Sequence, residues 1–594
     1  MSDVKKVHTK LGEFFATTIC GNDILSSALY VSGIAAVFAG AYAPFVLFAV
    51  ACVLVLYRSV YREVVEALPV NGGAYNALLN ATSKVTAAFA GVMTILSYTA
   101  TSVISAKTAV EYLFTFFEKL LPLTQLNISV DQLHAWTLPA VILVLGAFAL
   151  LVIAGVKDSA RVAAGIFVFH VITLTVFAIV GLTYAFLLHV DLHAANAAAT
   201  QAIVQSHHGL WPTLFLAFSA CLLGVSGFES SANFVEEQAP GVFKKTLRNM
   251  TLGVLVFNPL IAQVVLSVLN VNQIVQAKDF VLATAAYQIG GLFFLGWIAI
   301  NAFLVLCGAV LTGYIGVSGL IYRMSLDDCL PVFLAKRNVD GSHPRIIIAF
   351  FLLCSSILFL TRGDLLSLAG VYTISFLGVM TMFAAANLIL RQTRPDLKRP
   401  YRAPTLVVIL AFSATLAGLV GNLLIDSRNA VYFLLYFIPA IALAMAVIFR
   451  RNILHRLERL LTFIPVLRRK VLHAYERTAN ARLYVFLHHT GKLFRTLKYI
   501  NDNENGQHIT IVHCKLGDRG QREEIQHILP ELEKAGVFPH FNIDYAYIDQ
   551  VFSPATVDQF SRTHHVPKNR IFIGSIHSHH EFFYDDFGGV RIIS

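Results

Sequence analysis

The chain has 594 residues, 56% of them apolar and only 13% charged, with a formal net charge of +10. That composition excludes a soluble multidomain protein and marks a polytopic membrane protein. The basic residues gather in short loops beside apolar stretches, so they read as topology signals and not as a nucleic-acid surface. The seven cysteines have no paired spacing, so neither a disulfide framework nor a zinc site is expected.

Twelve apolar segments are predicted to span the bilayer, at 14–40, 42–66, 85–113, 136–155, 162–188, 210–234, 247–269, 292–322, 346–360, 365–390, 405–424 and 431–449. Lys5, Lys6 and Lys10, then Lys157 and Arg161, Lys244 and Lys245, Lys336 and Arg337, and the group from Arg391 to Arg402 all fall on one side. The opposite loops carry only isolated cations such as Lys119 and Lys278. The positive side faces inward, which places both termini in the cytoplasm and the chain in the inner (plasma) membrane.

The first span holds Gly21-Asn22-Asp23, followed by Ser26, Ser27 and Tyr30. Counted from Glu13, Asp23 lies ~15 Å along a helix, near the middle of a bilayer core. An ionisable group there faces a cavity or a partner, because lipid cannot solvate it. Glycine and asparagine before it and paired serines after it predict an interrupted helix lining a binding site. A satisfied polar spot between helices is the plainer alternative.

The sixth span carries a second weak point, Gly224-Val225-Ser226-Gly227-Phe228-Glu229-Ser230-Ser231. Two interrupted spans five helices apart point to an inverted repeat with its site at the midplane, which puts Ser226 and Glu229 beside Asp23. Small residues that merely allow close helix packing would leave the same pattern. His170 lies nine residues beyond Arg161, ~14 Å along span five and again near midplane. Lys107, further along span three, is predicted to snorkel to the outer interface. Tyr372 enters span ten at a similar depth and is a candidate cap on the site.

After Phe449 the composition changes. A basic amphipathic linker over 451–507 is predicted to begin on the inner leaflet. Residues 508–594 then alternate between strand and helix: strands at 508–515, 541–548 and 570–574, helices at 521–535 and 554–564. They form a small cytoplasmic α/β domain, separate from a transporter domain at 1–450. Gly574-Ser575-Ile576-His577 and Gly588-Gly589 are similar to a universal-stress-type nucleotide domain, with glycines spaced poorly for phosphate. His577 to Glu581 reads as a solvated loop, not a metal site, and no cofactor is expected.

Four pieces carry a family likeness: Leu68-Pro69-Val70-Asn71-Gly72-Gly73-Ala74-Tyr75, Gly155 to Val162, Gly227-Phe228-Glu229-Ser230 with Glu236-Glu237, and Arg399-Pro400-Tyr401-Arg402-Ala403-Pro404. Together they resemble the amino acid, polyamine and organocation (APC) superfamily of permeases. The resemblance implies an all-α, LeuT-like membrane domain of two inverted five-helix repeats and two further helices, with alternating access and coupling to an ion gradient. Alignment with proton-coupled members sets His170 where some of them carry a lysine in place of sodium, which makes it the coupling candidate.

One departure stands out. Such permeases usually hold a substrate carboxylate on a Gly-small-Gly break, and Asp23 here would repel it. Asp23-x-Leu25-Ser26-Ser27-x-x-Tyr30 looks instead like span one of the KimA and KUP-type potassium importers, which also have a cytoplasmic α/β domain. Where those carry an acid in span three, this chain aligns Ser97, with Tyr98 and Thr101 following. The expected function is proton-coupled import of a small cationic or zwitterionic solute, an amino acid or amine. Potassium-proton symport is the alternative, and a transport-dead solute receptor a remoter one. An enzyme is not expected, and a homodimer through the C-terminal domain is left open.

Overall fold

The computed structural model describes residues 10–593 apart from 124–128, 156–159, 188–191, 339–340, 396, 488–492, 505–507, 516–526, 532–540, 575–581 and 583. The chain divides into two compact units, one made of 1–77, 89–322 and 336–439, the other of 78–88, 323–335 and 440–594.

In the first unit the backbone is almost wholly helical, as an apolar medium demands of any segment that must satisfy its own N–H and C=O groups. Among the described residues, nine helices are long and apolar enough to cross a membrane. The first of these, Glu13–Ala67, contains two predicted spans, and the shorter apolar helices Thr137–Ile153 and Pro344–Leu360 occupy the places of spans four and nine. Each predicted span therefore has a helical counterpart. In chain order the helices that matter below are α1 (Glu13–Ser26), α2 (Ala28–Ala39), α3 (Ala43–Ala67), α4 (Lys84–Leu120), α5 (Ala160–Leu187), α6 (Leu210–Cys221), α7 (Ser230–Asn233), α8 (Phe243–Val268), α9 (Val281–Leu326) and α10 (Leu365–Thr393).

The two expected interruptions turn out differently. The sixth span is broken: α6 tightens into a 3-10 turn at Leu222–Val225, Ser226 is extended, and Gly227 takes φ +83° before the short α7. The first span is not broken where the sequence placed it. Gly21, Asn22 and Asp23 stay inside α1, and only Ser27, itself still helical in φ and ψ, separates α1 from α2. The serine hydroxyls account for this, since Ser26 Oγ donates to Asp23 O at 2.7 Å and Ser27 Oγ to Ile24 O at 2.7 Å. Those bonds satisfy both hydroxyls within the helix without opening it. A kink absent from the sequence reading splits α9 at Gly290 and Gly291, the latter at φ +59°, so its second part starts where span eight was predicted.

The motifs that suggested a permease meet in space. Asn71 N donates to Glu236 Oε1 at 2.8 Å and Glu236 N returns a bond to Asn71 Oδ1 at 3.0 Å. Glu63 at the end of α3 receives Arg391 Nε at 2.9 Å and Ala403 N at 2.8 Å, with Arg399 Nε at 3.6 Å. Lys107 does not snorkel. It is buried, with its ammonium 2.5 Å from Asp279 and 3.4 Å from Glu111, because two carboxylates supply a better partner than the interface.

In the second unit five parallel strands form a sheet of order β3-β2-β1-β4-β5, with β1 Arg482–Leu487, β2 His508–Cys514, β3 Asn542–Ile548, β4 Ile571–Gly574 and β5 Arg591–Ile593. Three of these strands match the predicted ones. The boundary at 508 does not: β1 and the helix Leu493–Asn503 fall within the predicted linker, and β1 is the central strand, buried on both faces. An interior parallel strand reads as a short apolar run without alternation, which is why Leu483 to Leu487 passed unnoticed after a basic stretch. Ahead of β1 the linker holds the helices Arg450–Leu460 and Pro465–Ala479. Of the predicted helix at 521–535 only 527–531 is described, and it is helical; residues 575–581, with the proposed glycine loop and histidine run, lie outside the described residues, as does 156–159 of the Gly155 motif.

Candidate functional site

The site grows from the break in span six. Opening the helix there frees the Gly224 carbonyl, which accepts from Asn258 Nδ2 of α8 at 2.9 Å and from Ser27 Oγ at 3.1 Å. Span one is thereby pinned, through Ser27 between α1 and α2, to the point where span six leaves regular geometry. Gly227 then brings bare backbone against Asp23: a Cβ on it would lie 2.7 Å from the Asp23 carboxyl carbon. Only glycine combines that approach with a positive φ.

Asp23 is 3% exposed and Glu229 is 8% exposed. Among the described residues, Asp23 Oδ1 and Glu229 Oε2 have no hydrogen-bond partner. The Asp23 carboxylate acts electrostatically on Glu229, Tyr30, Tyr98 and Tyr372, so these five side chains share one neighbourhood. The hydroxyls of Tyr30 and Tyr372 lie beside Ser226, and Tyr372 Oη completes no hydrogen bond there. Tyr372 is held by stacking on Phe376, ring centres 5.4 Å apart on α10. Tyr98 on α4 packs against Gly316 of α9 and accepts a short hydrogen bond from Asn233 Nδ2 on α7. Two carboxylates, three phenols and a serine make a lining of oxygen atoms, partly unsatisfied and shut off from solvent. Oxygen atoms buried in this way are costly to leave without a partner.

His170 stands apart from this lining and touches its frame. Its Nδ1 is 2.8 Å from Asn301 Oδ1 on α9, and its Nε2 is 3.2 Å from Leu25 O on α1. Both neighbours are acceptors, which is the arrangement an imidazolium satisfies with two N–H donors. Asn301 Nδ2 has no partner among the described residues. Rotating that amide would offer its N–H to Nδ1 and suit a neutral ring instead. The ring's other contact, Leu25 O, lies two residues along α1 from Asp23.

Of the residues singled out in the sequence, Asp23, Tyr30, Tyr98, Ser226, Glu229 and Tyr372 come together. Ser27 joins them as a brace. Ser26 spends its donor on its own helix, and Thr101 does so too, through Ser97 O at 2.9 Å. Ser97 Oγ is buried without a described partner. Sequence reasoning missed Asn233, Asn258 and Asn301. Each is an amide in an otherwise apolar or broken span, the signal that would have found them.

The sequence profile of a family described as amino acid permease matches residues 11–457. No curated protein matches the chain.

Proposed function

Because the chain belongs to the amino acid permease family, which comprises transporters and not enzymes, we propose that this multi-pass membrane protein imports a small cationic or zwitterionic solute by proton-coupled alternating access. The carrying observation is the pair Asp23 and Glu229, buried at the break of span six with an oxygen of each unpaired among the described residues. Isolated carboxylates in such a place are costly, and a positively charged group between them removes the cost. An amino acid or amine supplies that group as an ammonium, which fits the family.

The proton acts through His170. When the ring is charged it donates to Leu25 O and Asn301 Oδ1 and holds span five to spans one and eight; when the proton leaves, one of those bonds must turn or break. Twelve crossings arranged as two inverted repeats, both termini cytoplasmic, in the inner membrane, complete the reading. A second reading has one specific support: the lining is wholly of oxygen atoms, the donor set that a hard monovalent cation such as potassium prefers. Uptake by purified protein in liposomes under an imposed pH gradient, comparing labelled amino acids, amines and rubidium, separates the two. Accumulation of none of them under any gradient would leave the receptor reading in place of both.

A further inference from the structure

The second unit contains a cluster of four buried charges contributed by three distant parts of the chain. Arg591 on β5 is 1% exposed, Asp327 just after α9 is 1% exposed, and Lys84 at the start of α4 is 3% exposed. The Glu504 side chain between them is 3% exposed. Arg591 Nη1 donates to Glu504 Oε2 at 2.8 Å and its Nη2 bonds the other carboxylate oxygen, a bidentate fork. Arg591 Nε lies 3.5 Å from Asp327 Oδ1, and Lys84 Nζ lies 2.6 Å from Glu504 Oε1. The guanidinium also lies over the Phe572 ring, 4.4 Å from its centre. Arg323 in the last turn of α9 adds its Nε 3.2 Å from Asp327 Oδ2, so each of the two buried carboxylates, Glu504 and Asp327, is held by two cations.

Two further contacts extend the cluster. Lys84 N donates to Asn503 Oδ1 at 2.8 Å, and Asp328 pairs with Arg450 at 3.2 Å. The adjacent aspartates that follow α9 therefore receive, besides Arg323 of α9 itself, one arginine from the sheet and one from the start of the helix Arg450–Leu460. Burial pulls the Arg591 guanidinium down, but Glu504 and Asp327 outweigh it and hold the group above its ordinary value. Tyr499, partly buried, sits in the field of Arg591, Asp327, Glu504 and Cys329.

The helices that end here are the ones that build the site. The α4 helix begins at Lys84 and carries Ser97 and Tyr98; α9 closes one residue before Asp327 and carries Asn301 and Gly316. We propose that the C-terminal sheet domain is a latch on the permease: the Arg591–Glu504–Asp327–Lys84 cluster grips the cytoplasmic ends of α4 and α9 together and holds the transporter with its solute site shut. A tethered domain acts on a conformational equilibrium only by binding one state better than the other, and a buried ion-pair cluster is specific in that sense, because a change in the spacing of the two helix ends pulls Arg591 from Asp327 or Lys84 from Glu504. The state so gripped is the one with Asp23, Tyr30, Ser226 and Tyr372 buried.

Two native cysteines report on the idea. Cys329 is 0% exposed beside the cluster, and Cys20 is 0% exposed one turn before Asp23. Full-length protein in liposomes is treated with N-ethylmaleimide, and labelling at each cysteine is followed by peptide mass spectrometry. Arg591→Met is expected to raise the labelling rate at both Cys329 and Cys20 by about tenfold or more, with Arg591→Lys, which keeps the charge and loses the fork, in between. This readout does not depend on which solute is carried. Cys329 staying protected in Arg591→Met would show that the cluster does not hold the domain. Cys329 exposed with Cys20 unchanged would show that the domain is attached without acting on the site. If Arg591→Met fails to fold, Lys84→Met, at the far end of the cluster and outside the sheet, carries the same test and the same two overturning outcomes.

Discussion

Gly227 rests against the carboxylate of Asp23 so closely that a single added methyl would stand 2.7 Å from the carboxyl carbon. The break in span six and the charge in span one are therefore one feature, since the bare backbone exists to admit the acid. Gly227→Ala is expected to lower uptake at least tenfold. It also costs about 1–2 kcal/mol in stability from the left-handed backbone alone. Uptake in liposomes together with a thermal unfolding curve checks both parts, and wild-type uptake by a folded variant would separate Gly227 from the site.

Asp23→Asn keeps shape and packing while deleting the charge, so uptake should vanish in a protein that purifies as the wild type does. Glu229→Gln should weaken the apparent affinity and spare the maximal rate more, because Asp23 still supplies a charge. A competition series with the transported solute decides between them.

His170→Ala removes the imidazole that joins spans one, five and eight. Downhill flux is expected to continue, while uphill accumulation driven by a pH gradient is lost. Asn301→Ala should act in the same direction, because the amide's two orientations serve the two protonation states. Unchanged accumulation in His170→Ala would reduce the ring to a structural brace.

Glu63 is buried under Arg391 and Arg399, with its side chain 2% exposed. Glu63→Gln leaves two arginines short of their counter-charge, and removing one partner of such a buried set costs ~3–5 kcal/mol. A large fall in the unfolding temperature, with substrate order unchanged in whatever protein remains folded, is the expected outcome.

Cutting the chain after Ala479, ahead of β1, should leave a protein that inserts and transports, since its spanning helices satisfy their own backbone bonds. The ratio of uptake rates for two competing solutes should match that of the full chain. A changed ratio would make the tail part of the solute site.

The helices were legible from long apolar runs, and the break in span six from Ser226-Gly227, where only one residue type tolerates the backbone required. Span one was misread because composition cannot say whether a serine hydroxyl opens a helix or is satisfied within it; Ser26 and Ser27 chose the latter through contacts at their own turn. Lys107 was assigned to the interface since its two carboxylate partners, one of them in a distant loop, are invisible to local pattern. The strand at Leu483 to Leu487 was hidden by its burial on both faces, and the cluster around Arg591 by the long chain separations that only the fold closes.

The acid at the centre of span one also has a history before the protein is complete. As the first apolar segment leaves the ribosome, its translocon-mediated insertion carries a penalty of roughly 2.5–3.5 kcal/mol for a mid-helix aspartate. Only the three residues Gly40–Tyr42 separate α2 from α3. So short a turn lets these two spans enter the bilayer as a hairpin, with α3 following immediately to offset what Asp23 costs.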